Sequence, residues 1–239
     1  MKFWGTMFAA LGLAVAAQAA DKTLADVPFW RANAGWWRVD NTYFDRNLDY
    51  NIRSYNSVIH IEIDGRTYRE TEIKSYAPSR LAHYYGRGLT TEAEGVETVT
   101  VTTGEMIDDA GTVRIASAAS GPGGEGTTEI RVLSADTAVR VTHNAATGFD
   151  SYRMFITLPA PNKRHVANYG LVSDTKGPGA ANAAPDARMG DLRGFSLFRG
   201  DRIAADEAES WRATFRARNL VKAVIEPGPD GKPAGRRID

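Results

Sequence analysis

A chain of 239 residues, 43% hydrophobic and 24% charged, has the composition of a globular protein of one large domain or two small ones, which excludes global disorder. Lysine plus arginine and aspartate plus glutamate number 29 each, so no basic excess is left to hold a polyanion, and nucleic acid is not an expected partner. The absence of cysteine removes disulfides, thiol nucleophiles, iron–sulfur clusters and thiolate zinc sites.

At the N-terminus, Lys2 precedes an apolar stretch over 3–17, and Ala17-Gln18-Ala19 supplies an A-x-A site ahead of Ala20-Asp21. These features predict a signal peptide over 1–19, cleaved near Ala19. The apolar stretch is shorter than the roughly 20 residues that a bilayer span needs. The expected mature protein is bacterial, periplasmic or secreted, and without a stable membrane span.

Residues 29–37 read FWRANAGWW and hold three of the five tryptophans. The lead-in over 23–31 reads as a turn or a single helical turn ending before Gly35. Short alternating segments follow at 36–44, 48–63 and 66–76. A short helix is predicted over 78–85, with Pro78 in its first turn and Gly86 past its end. Further strands are predicted at 96–103, 112–118, 127–133, 138–143, 151–158, 164–173 and 194–203. Regularly spaced short strands separated by turn residues predict an antiparallel barrel or sandwich.

Residues 174–193 are rich in Gly, Pro and Ala with no periodic apolar face, as expected of a long loop or a lid. Over 206–219, acidic residues lead and Arg212, Arg216 and Arg218 follow, an order that suits a helix dipole. Trp211 and Phe215, four apart, would share one helical face, although the same stretch also alternates as a strand. A helix is expected there, then a strand at 220–225 and a frayed tail over 227–239. The fold expectation is a single domain over 20–226.

No nucleophile elbow, phosphate loop, zinc-protease helix or dinucleotide fingerprint is present. His60, His83, His143 and His165 show no ligand-like spacing, so neither a metal site nor a cofactor is expected. The hairpin around Asp64-Gly65 carries more information. With these two as the turn of a type I′ hairpin, Ile63 faces Arg66, Ile61 faces Tyr68, Ile59 faces Glu70, Ser57 faces Glu72 and Tyr55 faces Lys74. Directly opposed residues share a side of the sheet. The isoleucine side therefore also carries Tyr55, Tyr68, Glu70, Glu72 and Lys74, while His60, Glu62, Val58, Thr67, Arg69 and Thr71 take the other.

Two arrangements stay open. Either the isoleucine side draws these charges into a hydrated lumen, where a barrel of about eight or more strands tolerates them, or a bulge near 54–57 turns them to solvent. In the first, Tyr55, Tyr68, Glu70, Glu72 and Lys74 bind a ligand, and Trp36, Tyr43 and Tyr50 complete an aromatic wall. His143 follows Val139 and Val141 on one strand face. It is either a core histidine or, beside a carboxylate in a cavity, a proton-transfer group. Glu70, Glu72 and His143 are thus the catalytic candidates.

Gly35-Trp36-Trp37 contains a G-x-W pattern at the head of the first strand, and in this the chain resembles the lipocalins and the wider calycin barrels. The resemblance implies an all-β fold with one or two short helices, an antiparallel barrel closed at one end. It implies Trp37 on the barrel floor under a basic side chain from late in the chain, for which Arg212, Arg216 and Arg218 are candidates. Trp36 would point the other way, and Phe29 and Trp30 would help close the end. The leading functional expectation is an exported barrel that binds a small, partly apolar molecule. The alternatives are a barrel enzyme (cyclase, isomerase, hydratase or hydrolase) pairing Glu70 or Glu72 with His143 or Tyr55 on a lipid-like or aromatic substrate, and an envelope interaction module using the 174–193 loop. The sequence leaves the ligand and the oligomeric state open.

Overall fold

In a computed structural model, which describes residues 22–45, 50–51, 55–76, 90–91, 96–116, 126–173, 188–218, 223–227 and 233–237, the short strands close into a ring. The expected signal peptide, the helix expected over 78–85 and residues 174–187 of the long loop lie outside the described residues. Ten antiparallel strands form the barrel: β1 (Gly35–Asp45), β3 (Asn56–Asp64), β4 (Thr67–Tyr76), β6 (Val96–Met106), β7 (Val113–Ala116), β8 (Gly126–Val132), β9 (Thr137–Asn144), β10 (Asp150–Ala160), β11 (Lys163–Leu171) and β12 (Leu192–Ile203). Closure comes from β1, which pairs with β3 on one side and with β12 on the other. The two-residue strand β2 (Tyr50–Asn51) adds to the far end of β1. A separate small sheet joins β5 (Thr90–Thr91), β13 (Ala223–Pro227) and β14 (Pro233–Arg237). Part of the segment expected as a frayed tail is therefore paired strand.

The β3–β4 hairpin differs from expectation by one turn position. Gly65 and Arg66 form the loop, and Asp64 faces Thr67, so Ile63 faces Tyr68, Ile61 faces Glu70, Ile59 faces Glu72 and Ser57 faces Lys74. Gly65 has φ +55° and occupies the first loop position, where tight hairpins require a positive φ. Moving the turn by one residue moves each partner by two. Side-chain parity survives, because the strand period is two. The pairing runs unbroken from Asp64 to Asn56.

One end of the barrel is sealed by the lead-in segment. A 3-10 turn at Leu24–Asp26 runs into α1 (Pro28–Asn33), with Pro28 at the first helical position, where its fixed φ suits a helix start. Phe29, Trp30 and Trp37 are fully buried there with Leu24, Ile61, Tyr68, Val113 and Ile130. Both indoles satisfy their N–H. Trp30 Nε1 donates to the Gly111 carbonyl at 2.7 Å and Trp37 Nε1 to the Asn33 carbonyl at 2.9 Å.

Trp37 is covered by a basic side chain, but the residue is Arg202 on β12, its guanidinium carbon 4.3 Å from the ring centroid. Arg202 also donates to the carbonyls of Ala34 (2.7 Å), Ala32 and Pro161 (3.0 Å). Gly35 adopts φ +115°, a conformation that side chains strain, and a Cβ there would stand 2.7 Å from Arg202 Nη1, so the guanidinium would have to shift.

Arg212, Arg216 and Arg218 lie elsewhere, because 208–218 is a helix on the barrel's outer wall. This helix, α2 (Ala208–Arg218), buries Ala208 and Phe215 against Val58, with Trp36, Ile203 and Trp211 around them. Arg212 and Arg216 pair with Glu97 at 3.0 and 3.2 Å, and Arg218 with Asp40 at 3.3 Å. Helix rather than strand wins because Trp211 and Phe215 meet on one face, ring centroids 5.7 Å apart, and Ala204 N–H donates to Glu207 Oε2 at 2.7 Å ahead of the helix. Trp36 is likewise outside, stacked on His60 with ring centroids 4.0 Å apart.

Candidate functional site

Above the sealed floor the barrel interior changes character. Val99 and Val101 of β6 face outward, 63% and 50% exposed, while the alternate residues Thr100 and Thr102 face a cavity. The same inversion holds on β9, where Arg140 and Thr142 face the cavity and Val139 and Val141 therefore take the other side. A solid core would select the opposite parity. These strands instead enclose a space of about 270 Å³.

Its lining is contributed strand by strand. β4 supplies Glu70, Glu72 and Lys74, and β11 supplies Arg164, Val166 and Asn168. Tyr152 and Met154 of β10, Phe198 of β12, Ile59 of β3 and Tyr55 just before β3 form the aromatic and apolar part. The cavity is thus amphipathic, polar where β4, β9 and β11 look at each other and apolar along β10 and β12.

The charges inside hold one another in place. Glu70 accepts a hydrogen bond from the Tyr68 hydroxyl at 2.9 Å and lies 3.6 Å from Arg164 Nη2. Arg164, only 4% exposed, also donates from Nε to Asn33 Oδ1 at 3.1 Å, which ties the cavity to α1. Lys74 Nζ lies 3.2 Å from Glu72 Oε2 and 5.4 Å from the centre of the Tyr55 ring. Burial pushes the Glu72 carboxyl above its ordinary value; Lys74 opposes the rise and the neighbouring Glu70 adds to it. Burial, and then the Glu70 charge, hold the Tyr68 phenol well above the ordinary tyrosine range. The Ser57 hydroxyl also acts on the Glu72 carboxyl from β3, while Asn168 Oδ1 is buried and accepts no hydrogen bond among the described residues.

The residues singled out in the sequence are therefore distributed unequally. Tyr55, Glu70, Glu72 and Lys74 line the cavity. Tyr68 is not part of its wall: it is 1% exposed, packed into the floor with its ring 5.1 Å from that of Trp30, and reaches the cavity only through Glu70. Trp36 is outside the barrel, and the side chains of Tyr43 and Tyr50 lie outside the described residues. His143 does not meet the carboxylates of β4. Its side chain is 44% exposed, with Nδ1 2.5 Å from Asp150 Oδ1, because Thr142 takes the inward position on β9. Of the two pairings offered for the catalytic alternative, the one with His143 is not assembled, while Tyr55 shares the cavity wall with Glu70 and Glu72.

Arg140, Arg164 and Asn168 are cavity residues that sequence reasoning missed. The signal for Arg140 and Arg164 was parity. Each alternates with residues of comparable or greater apolarity, and only the closed ring shows which set faces in.

No protein-family model matches the chain, and no curated protein matches its sequence. Among solved structures it is similar to the S-type phycobiliprotein lyase CPES from Guillardia theta, at 13% identity over 77% of this chain and 95% of that one, with a TM-score of 0.46. It is also similar to a protein of unknown function of the DUF3598 family from Nostoc punctiforme, at 12% identity over 72% of this chain and 48% of that one, TM-score 0.45. A third similarity is to EF1p2_mFAP2b bound to DFHBI, at 11% identity over 74% of this chain and 98% of that one, TM-score 0.34. The barrel architecture rests on the strand pairing described above rather than on these likenesses.

Proposed function

We propose that the protein is an exported barrel that binds one small, partly apolar molecule in its lumen. The observation that carries this reading is the inverted polarity of the upper barrel. Thr100, Thr102, Arg140 and Thr142 face an interior space while Val99 and Val101 face out. Burying charged groups is costly without a compensating partner or water, and a barrel that needed only a core would fill this space with the valines.

A cavity of about 270 Å³ falls just below the range of small-molecule sites, roughly 300 to 1,000 Å³, and so suits a small ligand. Tyr55, Tyr152, Met154 and Phe198 supply apolar area, and Glu70, Glu72 and Lys74 fix orientation. The A-x-A site after the apolar N-terminal stretch supports export.

The test is a fluorescence titration with 1-anilinonaphthalene, a neutral aromatic probe. Saturable one-to-one binding is expected, weakened in Tyr55→Ala and lost in Met154→Trp, which fills the space, with near-ultraviolet circular dichroism of the variants unchanged. Binding of equal strength in all three proteins contradicts the reading.

A further inference from the structure

The ion pairs inside the cavity do not balance. Two carboxylates, Glu70 and Glu72, face three cations, Lys74, Arg140 and Arg164. Glu70 is engaged by Arg164 and Glu72 by Lys74. That leaves Arg140, which forms no ion pair among the described residues. A guanidinium does not shed its proton in a protein, so this charge is permanent and needs a counter-charge to be at ease away from bulk water.

The position of Arg140 is also specific. It sits on β9 opposite Met154 of β10 and Ile130 of β8. Ala138, the next inward residue toward the floor, is fully buried. Arg140 is close enough to the floor for its charge to act on the Tyr68 phenol. Tyr152, by contrast, is a cavity residue that is 43% exposed and so marks the open end.

From this placement we infer that the ligand is an amphipathic organic anion that enters acid end first, its carboxylate or sulfonate seated on the Arg140 guanidinium and its apolar body along Met154, Phe198 and Tyr152. The inference rests on the reading of the lumen as a binding site and adds the ligand's charge and direction. A planar guanidinium offers paired N–H donors that match a carboxylate. Asn168 Oδ1, buried and without a donor among the described residues, is placed to accept an N–H or O–H from the same molecule.

Two probes that differ only by an acid group test this: 1-anilinonaphthalene-8-sulfonate and the neutral 1-anilinonaphthalene, titrated into the full-length mature protein. The sulfonate is expected to bind at least about tenfold more tightly, the scale of one charge-assisted hydrogen-bonded pair, and this preference should shrink with added salt. Arg140→Gln should abolish the preference, read as the ratio of the two probes' affinities in the same variant. Arg140→Lys should retain part of it. Met154→Trp should abolish binding of both.

Equal binding of the two probes by the wild type, an unchanged preference in Arg140→Gln, or sulfonate binding that survives Met154→Trp overturns the inference. Each of these leaves the neutral probe's binding as separate evidence for the lumen. If neither probe binds folded protein, the lumen reading itself falls, and this inference with it.

Discussion

Arg202 and Trp37 face each other across the seam where β1 meets β12, the guanidinium carbon 4.3 Å from the indole centroid. One side chain here does three things. It covers the floor tryptophan, bonds the carbonyls at the end of α1, and holds the Pro161 carbonyl at the β10–β11 turn. Arg202 thereby ties the plug to the closing strands.

Arg202→Ala should therefore destabilise the fold by about 2–3 kcal/mol, combining a partly desolvated cation–π contact with stranded carbonyl acceptors. Arg202→Lys should recover only part of the loss, because an ammonium cannot bond several divergent carbonyls while stacking on the ring. Urea unfolding monitored by tryptophan fluorescence measures both. A loss under 0.5 kcal/mol, the ordinary range for a surface substitution, would remove Arg202 from the account of the floor.

The Glu72 carboxyl gives the pH dependence a sign. Burial raises its folded-state value above 4.5. A group shifted upward on folding contributes stability in full below its unfolded value and loses it as pH rises through the folded value. Glu72→Gln has no such titration. The difference in unfolding free energy, wild type minus variant, should fall as pH rises above 4.5, the ordinary carboxyl value. Urea midpoints across that range check it; a flat or rising difference contradicts the burial of an ionisable carboxyl inside the barrel.

Phe215 separates support from site. It is 2% exposed beneath α2, on the outer wall and away from the cavity lining. Phe215→Ala should cost about 3–5 kcal/mol, the usual scale for truncating a buried phenylalanine, and leave probe affinity unchanged in the fraction that remains folded. Thermal melts and titrations on the same preparation test both halves. Weakened probe binding in fully folded Phe215→Ala would mean that the outer helix reaches the lumen.

Much of this arrangement was legible because strand parity is robust. On β4, the inward set of Tyr68, Glu70, Glu72 and Lys74 follows from the isoleucines of β3. An error of one position in the turn leaves that set intact, since the partner shifts by two. The floor was legible for a similar reason: Gly35 and Trp37 lie at the head of a strand directly after an aromatic lead-in.

On β9, parity misled. Val139 and Val141 look more like core residues than Ala138, Arg140 and Thr142, so local hydrophobicity assigned the wrong face inward and took His143 with it. A hydrated lumen reverses the usual preference, and nothing within β9 announces that its neighbours across the ring are Glu70 and Thr102. Arg202 lies outside the arginine-rich stretch at 206–219, which offers the more obvious covers for Trp37. The decisive fact is a pairing 165 positions apart, Trp37 opposite Arg202, which only closure of the sheet creates.

The central claim, a small molecule held inside the barrel, is tested most directly by native mass spectrometry of wild type and Met154→Trp, both purified from the native host. The account predicts that the wild type carries one added mass that is released on denaturation, and that the variant shows the bare protein mass alone. The bare mass on both proteins, or the same added mass on both, would contradict it.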